Sequence, residues 1–99
     1  MFVGLLTLRL LIHDANSLKE KRHVVNSILD RTRARWNVSA AQIDTHDRWN
    51  DAQIAVAIVS NDRATALKVM NHIRDFAEND VRFDVAKFRA NGAKICPIL

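Results

Sequence analysis

Apolar and polar positions change period along this chain, and the changes divide it into six elements. Over Phe2 to His13 the period is two, as in a strand. Leu6, Leu8, Leu10 and Ile12 share one face, and Val3, Leu5, Thr7, Arg9 and Leu11 share the other. Both faces are largely apolar, which predicts a central strand covered on both sides. From Asn16 to Trp36 the period becomes that of a helix. Leu18, Val25, Ile28, Leu29, Thr32 and Trp36 recur at three- and four-residue steps and make one apolar stripe. Ser17 with Glu20 three residues later is a capping box, in which Glu20 should reach back to the Ser17 amide. No Gly or Pro interrupts the helix.

A weaker strand follows at Asn37 to Thr45, where Val38 and Ile43 differ in parity and predict irregular pairing. His46 to Asp51 is polar and turn-like. Ala52 to Ser60 alternates cleanly, with Ile54, Val56 and Ile58 opposite Gln53, Ala55, Ala57 and Val59. Ser60, Asn61 and Asp62 can each cap a second helix running from about Asp62 to Glu78. Its stripe is Ala66, Val69, Met70, Ile73, Phe76 and Ala77. Val81 to about Arg89 reads as a last strand with Val81, Phe83 and Val85 facing the core. Asn91 and Gly92 predict a turn before a short apolar tail.

The order βαββαβ predicts an α+β, ferredoxin-like fold: a four-stranded antiparallel sheet in order 4-1-3-2, with two helices on one face. The other sheet face is then open. It would display Val3, Leu5, Arg9, Leu11, Ala55, Ala57 and Val59, with Gln53, and an apolar face of this kind predicts a homodimer interface.

Composition narrows the class. The chain has 99 residues, the size of one domain spanning 1–99, and only two glycines and one proline, which suits a few long elements. The single Cys96 excludes an internal disulfide and a thiolate metal cluster and suggests an inert thiol. The N-terminal residues show neither a basic leader nor a cleavage site, and no apolar run approaches a membrane span, so a cytoplasmic location is expected.

Charge supplies the one loud functional signal. Formal net charge is +4, and all of it arises in residues 17–36, where six Lys/Arg face two acids. Lys19, Lys21, Arg22, Arg31, Arg33 and Arg35 are therefore the candidate phosphate contacts for RNA. Arg31, Arg33 and Arg35 also complement the negative end of the helix dipole, and a solvated basic face needs no ligand. With no tyrosine and an aliphatic open face, base stacking on the sheet is not expected. Trp36 and Trp49 suit core or hinge packing better than stacking on a ligand. The topology sets the ends of strands one and two at one edge, so His13 and Asp14 would lie near His46 and Asp47. Their spacing matches no ligand pattern, and neither a phosphate loop nor a nucleophilic triad is present. No cofactor, metal or enzymatic activity is expected.

SLKEKR followed by a valine pair, NVS after the helix, DRW in the turn and VSND before the second helix together resemble the YlxP-like family of small uncharacterised bacterial proteins. The matching positions include Ser17, Leu18, Lys19, Glu20, Lys21, Arg22, Asp47, Trp49, Ser60, Asn61 and Asp62. The resemblance implies a ferredoxin-like fold and no established catalytic residues. The family's genes often lie among those for translation initiation and ribosome maturation, which implies RNA or the ribosome as partner. The chain departs from the family at HDAN before the helix, where relatives often have proline, and at Gln42, where an acid is common. The expected function is that of a cytoplasmic binding protein, RNA- or ribosome-associated through the first helix. The alternative is a homodimeric interaction module with no nucleic-acid role.

Overall fold

The computed structural model describes residues 1–97, with side chains described as far as Ala86. The elements are β1 (Phe2–Ile12), α1 (Leu18–Arg35), β2 (Ser39–Gln42), β3 (Asp51–Ser60), α2 (Arg63–Glu78) and β4 (Phe83–Pro97). The strands form one antiparallel sheet in order β2-β3-β1-β4, the same order as 4-1-3-2. Among the described residues no helix is long and apolar enough to cross a membrane.

Strand parity sets the layers. Leu6, Leu8, Leu10 and Ile12 of β1 and Ile54, Val56 and Ile58 of β3 are buried. They meet Val25, Ile28 and Leu29 of α1 and Ala66, Met70, Ile73 and Ala77 of α2 in one core. A methyl at Gly4 would lie 2.9 Å from the Met70 sulfur, so the missing side chain lets α2 approach β1 closely.

Both helix starts follow their sequence signals. Ser17 Oγ accepts from the Glu20 amide at 3.2 Å. Glu20 reaches past the Ser17 amide to that of Asn16, at 2.6 Å, because Asp14 in the left-handed region (φ 55°) and an extended Ser17 turn Asn16 toward it. Asp62 caps α2, taking the Ala64 amide and the Thr65 hydroxyl.

Three features, one in β2 and two in β4, differ from expectation. β2 has four residues, not nine, because the Val38 amide turns back to the Trp36 carbonyl at its start and Asp44 ends it. The Ile43 amide still donates to the Gln53 carbonyl, but the Gln53 amide then donates to the Asp44 carboxylate, which replaces the next backbone partner. Val81 is 87% exposed and not in the core. Asp80 accepts from the backbone and guanidinium of Arg82, which holds a turn there and delays the strand to Phe83. Phe83 and Val85 do face the core, fully and half-buried. Finally, β4 runs through Asn91 and Gly92 without a turn. Between Leu5↔Asn91 and Val3↔Cys96 it advances five residues while β1 moves two, so the Asn-Gly signal appears as a register slip inside a strand. The Cys96 side chain and the last two residues of the expected tail lie outside the described set.

Candidate functional site

Four places bear on function: the open sheet face, the cationic helix and two hollows beside the start of α1. The open face carries the odd positions of β1 and β3, paired as Val3↔Val59, Leu5↔Ala57, Thr7↔Ala55 and Arg9↔Gln53. Val59 is 64% exposed and Leu11 38%. Val3, Leu5, Arg9, Ala55 and Ala57 are half-buried by their neighbours. Ser39 and Ala41 of β2 extend this surface beside Ala57 and Ala55. The face therefore has a ridge of larger side chains on β1 and a trough of small ones on β3 and β2.

One end of that face is polar. Arg9 grips Asp51 with both ends of its fork, at 3.1 and 3.0 Å. His46 and Arg48 stand 3.9 Å from the same carboxylate. The Arg9 guanidinium holds the Asp51 carboxyl below its ordinary range against the opposing effect of burial.

The six cations of α1 separate into different environments. Lys21 departs most from expectation: it is 1% exposed, and its ammonium donates to Asp44 at 2.9 Å, so it is not part of an outer cationic face of the helix. Asp44 is equally enclosed, with a side chain 1% exposed. Burial pushes its carboxyl up, and the Gln53 amide, the Lys21 ammonium and the Gln42 amide together hold it below the usual value. The spacing already carried this signal, since Lys21 lies three residues after Leu18 and four before Val25, on the apolar stripe itself.

Arg31 is exposed but donates to Asp80 and lies 5.3 Å from the Phe76 ring centre. Asp80 also receives Arg82, and these guanidinium groups hold its carboxyl far below its ordinary value. Arg33 donates to Asp30 at 3.1 Å and to the Ala40 carbonyl. Arg35 stacks over Trp36 and Phe76, at 5.1 and 5.4 Å. Trp36 meets Phe76 edge to face at 5.3 Å, so it packs as expected, whereas Trp49 is 50% exposed. Lys19 and Arg22 are exposed and have no hydrogen-bond or ion-pair partner among the described residues.

His13 and His46 lie at the same end of the sheet but line different hollows. His13, Asp14, Ser17, Lys19, Glu20 and His23 border one of about 590 Å³. Lys21, Arg22, Asp44, Thr45, His46 and Asp47 border another of about 330 Å³, with Leu18 and Gln42. Both ring nitrogens of His13 face acceptors: the Val81 carbonyl at 3.2 Å and Asp84 at 3.0 Å. That arrangement favours the doubly protonated ring and raises its pKa, chiefly through Asp84. Among the described residues no group of three or more His, Cys, Asp or Glu could hold a metal ion.

The family model described as "Protein of unknown function (DUF503)" matches residues 3–90. The chain belongs to this family. It is 34% identical over 77 residues to the uncharacterized protein YlxP of Bacillus subtilis (strain 168), covering 78% of this chain and 84% of that protein. A de novo designed protein with ferredoxin fold, solved by solution NMR, superposes with a TM-score of 0.56 over 91% of this chain and 85% of its own, at 10% identity. That likeness concerns the fold alone, and the fold is ferredoxin-like.

Proposed function

We propose that this protein is a cytoplasmic, non-enzymatic binding module whose open sheet face docks a second copy of itself. The observation that carries this reading is the ridge of Val3, Leu5 and Leu11 lying beside the trough of Ala55, Ala57, Ser39 and Ala41. A two-fold axis lying between the two sheets, parallel to the strands and passing between β1 and β3, sets each ridge over the other copy's trough, so one surface complements itself. The four strands together hold 40 residues; at roughly 3.3 Å each, with strands spaced about 4.8 Å apart, the whole face gives roughly 630 Å² per copy. The total of about 1,270 Å² is at the low end of specific interfaces. The Arg9–Asp51 pair is satisfied within one copy, so covering it strands no charge. Sedimentation velocity from about 1 to 100 μM tests the reading. A dimer is expected for the natural chain and a folded monomer for Ala57→Glu. A natural chain that stays monomeric throughout that range refutes it.

A second reading, association with RNA or the ribosome, draws on the +4 charge within residues 17–36 and on Lys19 and Arg22, which are exposed and uncommitted. Arg33 lies on the same side of the helix near its other end, whereas Arg35 lies on the opposite side, over Trp36 and Phe76. Binding should be phosphate-directed and weaken steeply with salt. Fluorescence anisotropy with a structured ribosomal RNA should show that dependence, and Lys19→Glu with Arg22→Glu should abolish binding. Affinity flat against salt, or unchanged in the double variant, removes this reading.

A further inference from the structure

The Lys21 ammonium has more donors than the fold uses. It carries three N–H groups. One goes to Asp44, and no second acceptor occurs among the described residues, although the side chain is only 2% exposed. An enclosed charged donor without acceptors is costly. Asp44, by contrast, is saturated: it takes Lys21, the Gln53 amide and the Gln42 side-chain amide. The unused donors belong to a residue that lines the 330 Å³ hollow.

Two walls close that hollow. The first turns of α1 supply Lys21 and the uncommitted Arg22, and the β2–β3 connection supplies Thr45, His46 and Asp47. The two segments that carried much of the family resemblance meet here, Leu18, Lys21 and Arg22 from SLKEKR and Asp47 from the DRW turn. One wall is rich in cationic donors. The other offers a carboxylate acceptor with no partner among the described residues. A bare oxyanion would satisfy the first wall and be repelled by Asp47 and by Asp44, whose charge Lys21 already offsets. A ligand that joins an oxyanion to hydroxyl groups satisfies both.

We propose that this cleft binds a phosphorylated sugar unit, with the phosphate on Lys21 and Arg22 and the sugar hydroxyls on Asp47 and Thr45. Its volume is at the small end of ligand pockets, enough for one such unit. The unit is either a free sugar phosphate or the ribose-phosphate of an RNA strand. No residue of the open sheet face takes part, so the cleft and the dimer stand or fall separately.

Titration of the ¹⁵N-labelled protein followed by amide NMR tests the assignment. Ribose 5-phosphate should move the amides of Arg22 and of residues 42–47 in a saturable way by about 20 mM, a millimolar affinity. Arg22→Gln, an exposed change that spares the Lys21–Asp44 pair, should weaken this by about tenfold, roughly the loss of one charge-assisted contact. Inorganic phosphate should bind more weakly than ribose 5-phosphate, and Asp47→Ala should erase that difference. A short single-stranded RNA that moves the same amides at lower concentration makes RNA the source, and one that does not makes the free sugar phosphate the source. Either outcome supports the site, provided DNA of the same sequence binds less well than the RNA when RNA binds. No localised shift, an undiminished response in Arg22→Gln, or inorganic phosphate binding as tightly as ribose 5-phosphate overturns the proposal.

Discussion

Removing one partner of the Lys21–Asp44 pair should be among the most damaging single changes in this protein. Both side chains are almost fully enclosed, at 2% and 1% exposure, and lie 2.9 Å apart. Asp44→Ala leaves an ammonium inside with no acceptor, and it also frees the Gln53 amide that ends β2. Loss of one member of a buried pair costs about 3–5 kcal/mol. That is a fifth or more of the roughly 5–15 kcal/mol that holds a typical domain. At about 4–8 °C per kcal/mol for a domain of this size, melting should fall by at least about 12 °C. Lys21→Met with Asp44→Leu removes both charges, and the double variant should be more stable than the sum of the singles by more than about 1.5 kcal/mol. Urea unfolding of the four proteins, each checked for an unchanged fold by circular dichroism, measures the cycle. Single variants that each cost less than about 1 kcal/mol, or a cycle that is simply additive, would refute the view that this pair is desolvated and mutually dependent.

Two further outcomes follow from local geometry. Ser17→Ala removes the acceptor for the Glu20 amide and should cost about 1 kcal/mol in urea unfolding, whereas Ser17→Asp should retain most of it. His13→Gln should lower melting at pH 5.5 and have little effect at pH 9: the His13 pKa is raised above 6.5, chiefly by Asp84 and then by the Val81 carbonyl, with Asp14 adding to it, so its contribution is complete below the unfolded value and is lost as pH rises through the folded one. An equal loss at both pH values would exclude a charge-dependent contact.

The parts of the fold that could be read in advance are those whose cause is local. The parity of Leu6, Leu8 and Leu10 against Leu5, Thr7 and Arg9 assigned the two faces of β1. Ser17 and Asp62 marked both helix starts. The errors lie where a distant residue overrides a local signal. Asn91-Gly92 is a strong turn signal, yet the backbone there pairs with β1, laid down more than eighty residues earlier in the chain. Val81 continued an alternating pattern, but Asp80 and Arg82 bind each other and form a turn. The candidate cations show the same division. Counting charge located the basic helix, but not that Arg31 meets Asp80, 49 residues away, or that Lys21 meets Asp44. Only the position of Lys21 between Leu18 and Val25 on the stripe hinted that it would turn inward.

The place of β1 between β3 and β4 has a consequence for biosynthesis. β1 is made before both of its neighbours, and the second of them, β4, follows every other described element. At about 5–20 residues per second, the roughly seventy residues between Ile12 and Phe83 take several seconds to make. Through that interval a strand apolar on both faces has at least one unpaired edge. A premature stop before Phe83 would make that exposure permanent, so truncated chains should be sticky where the full-length chain is not.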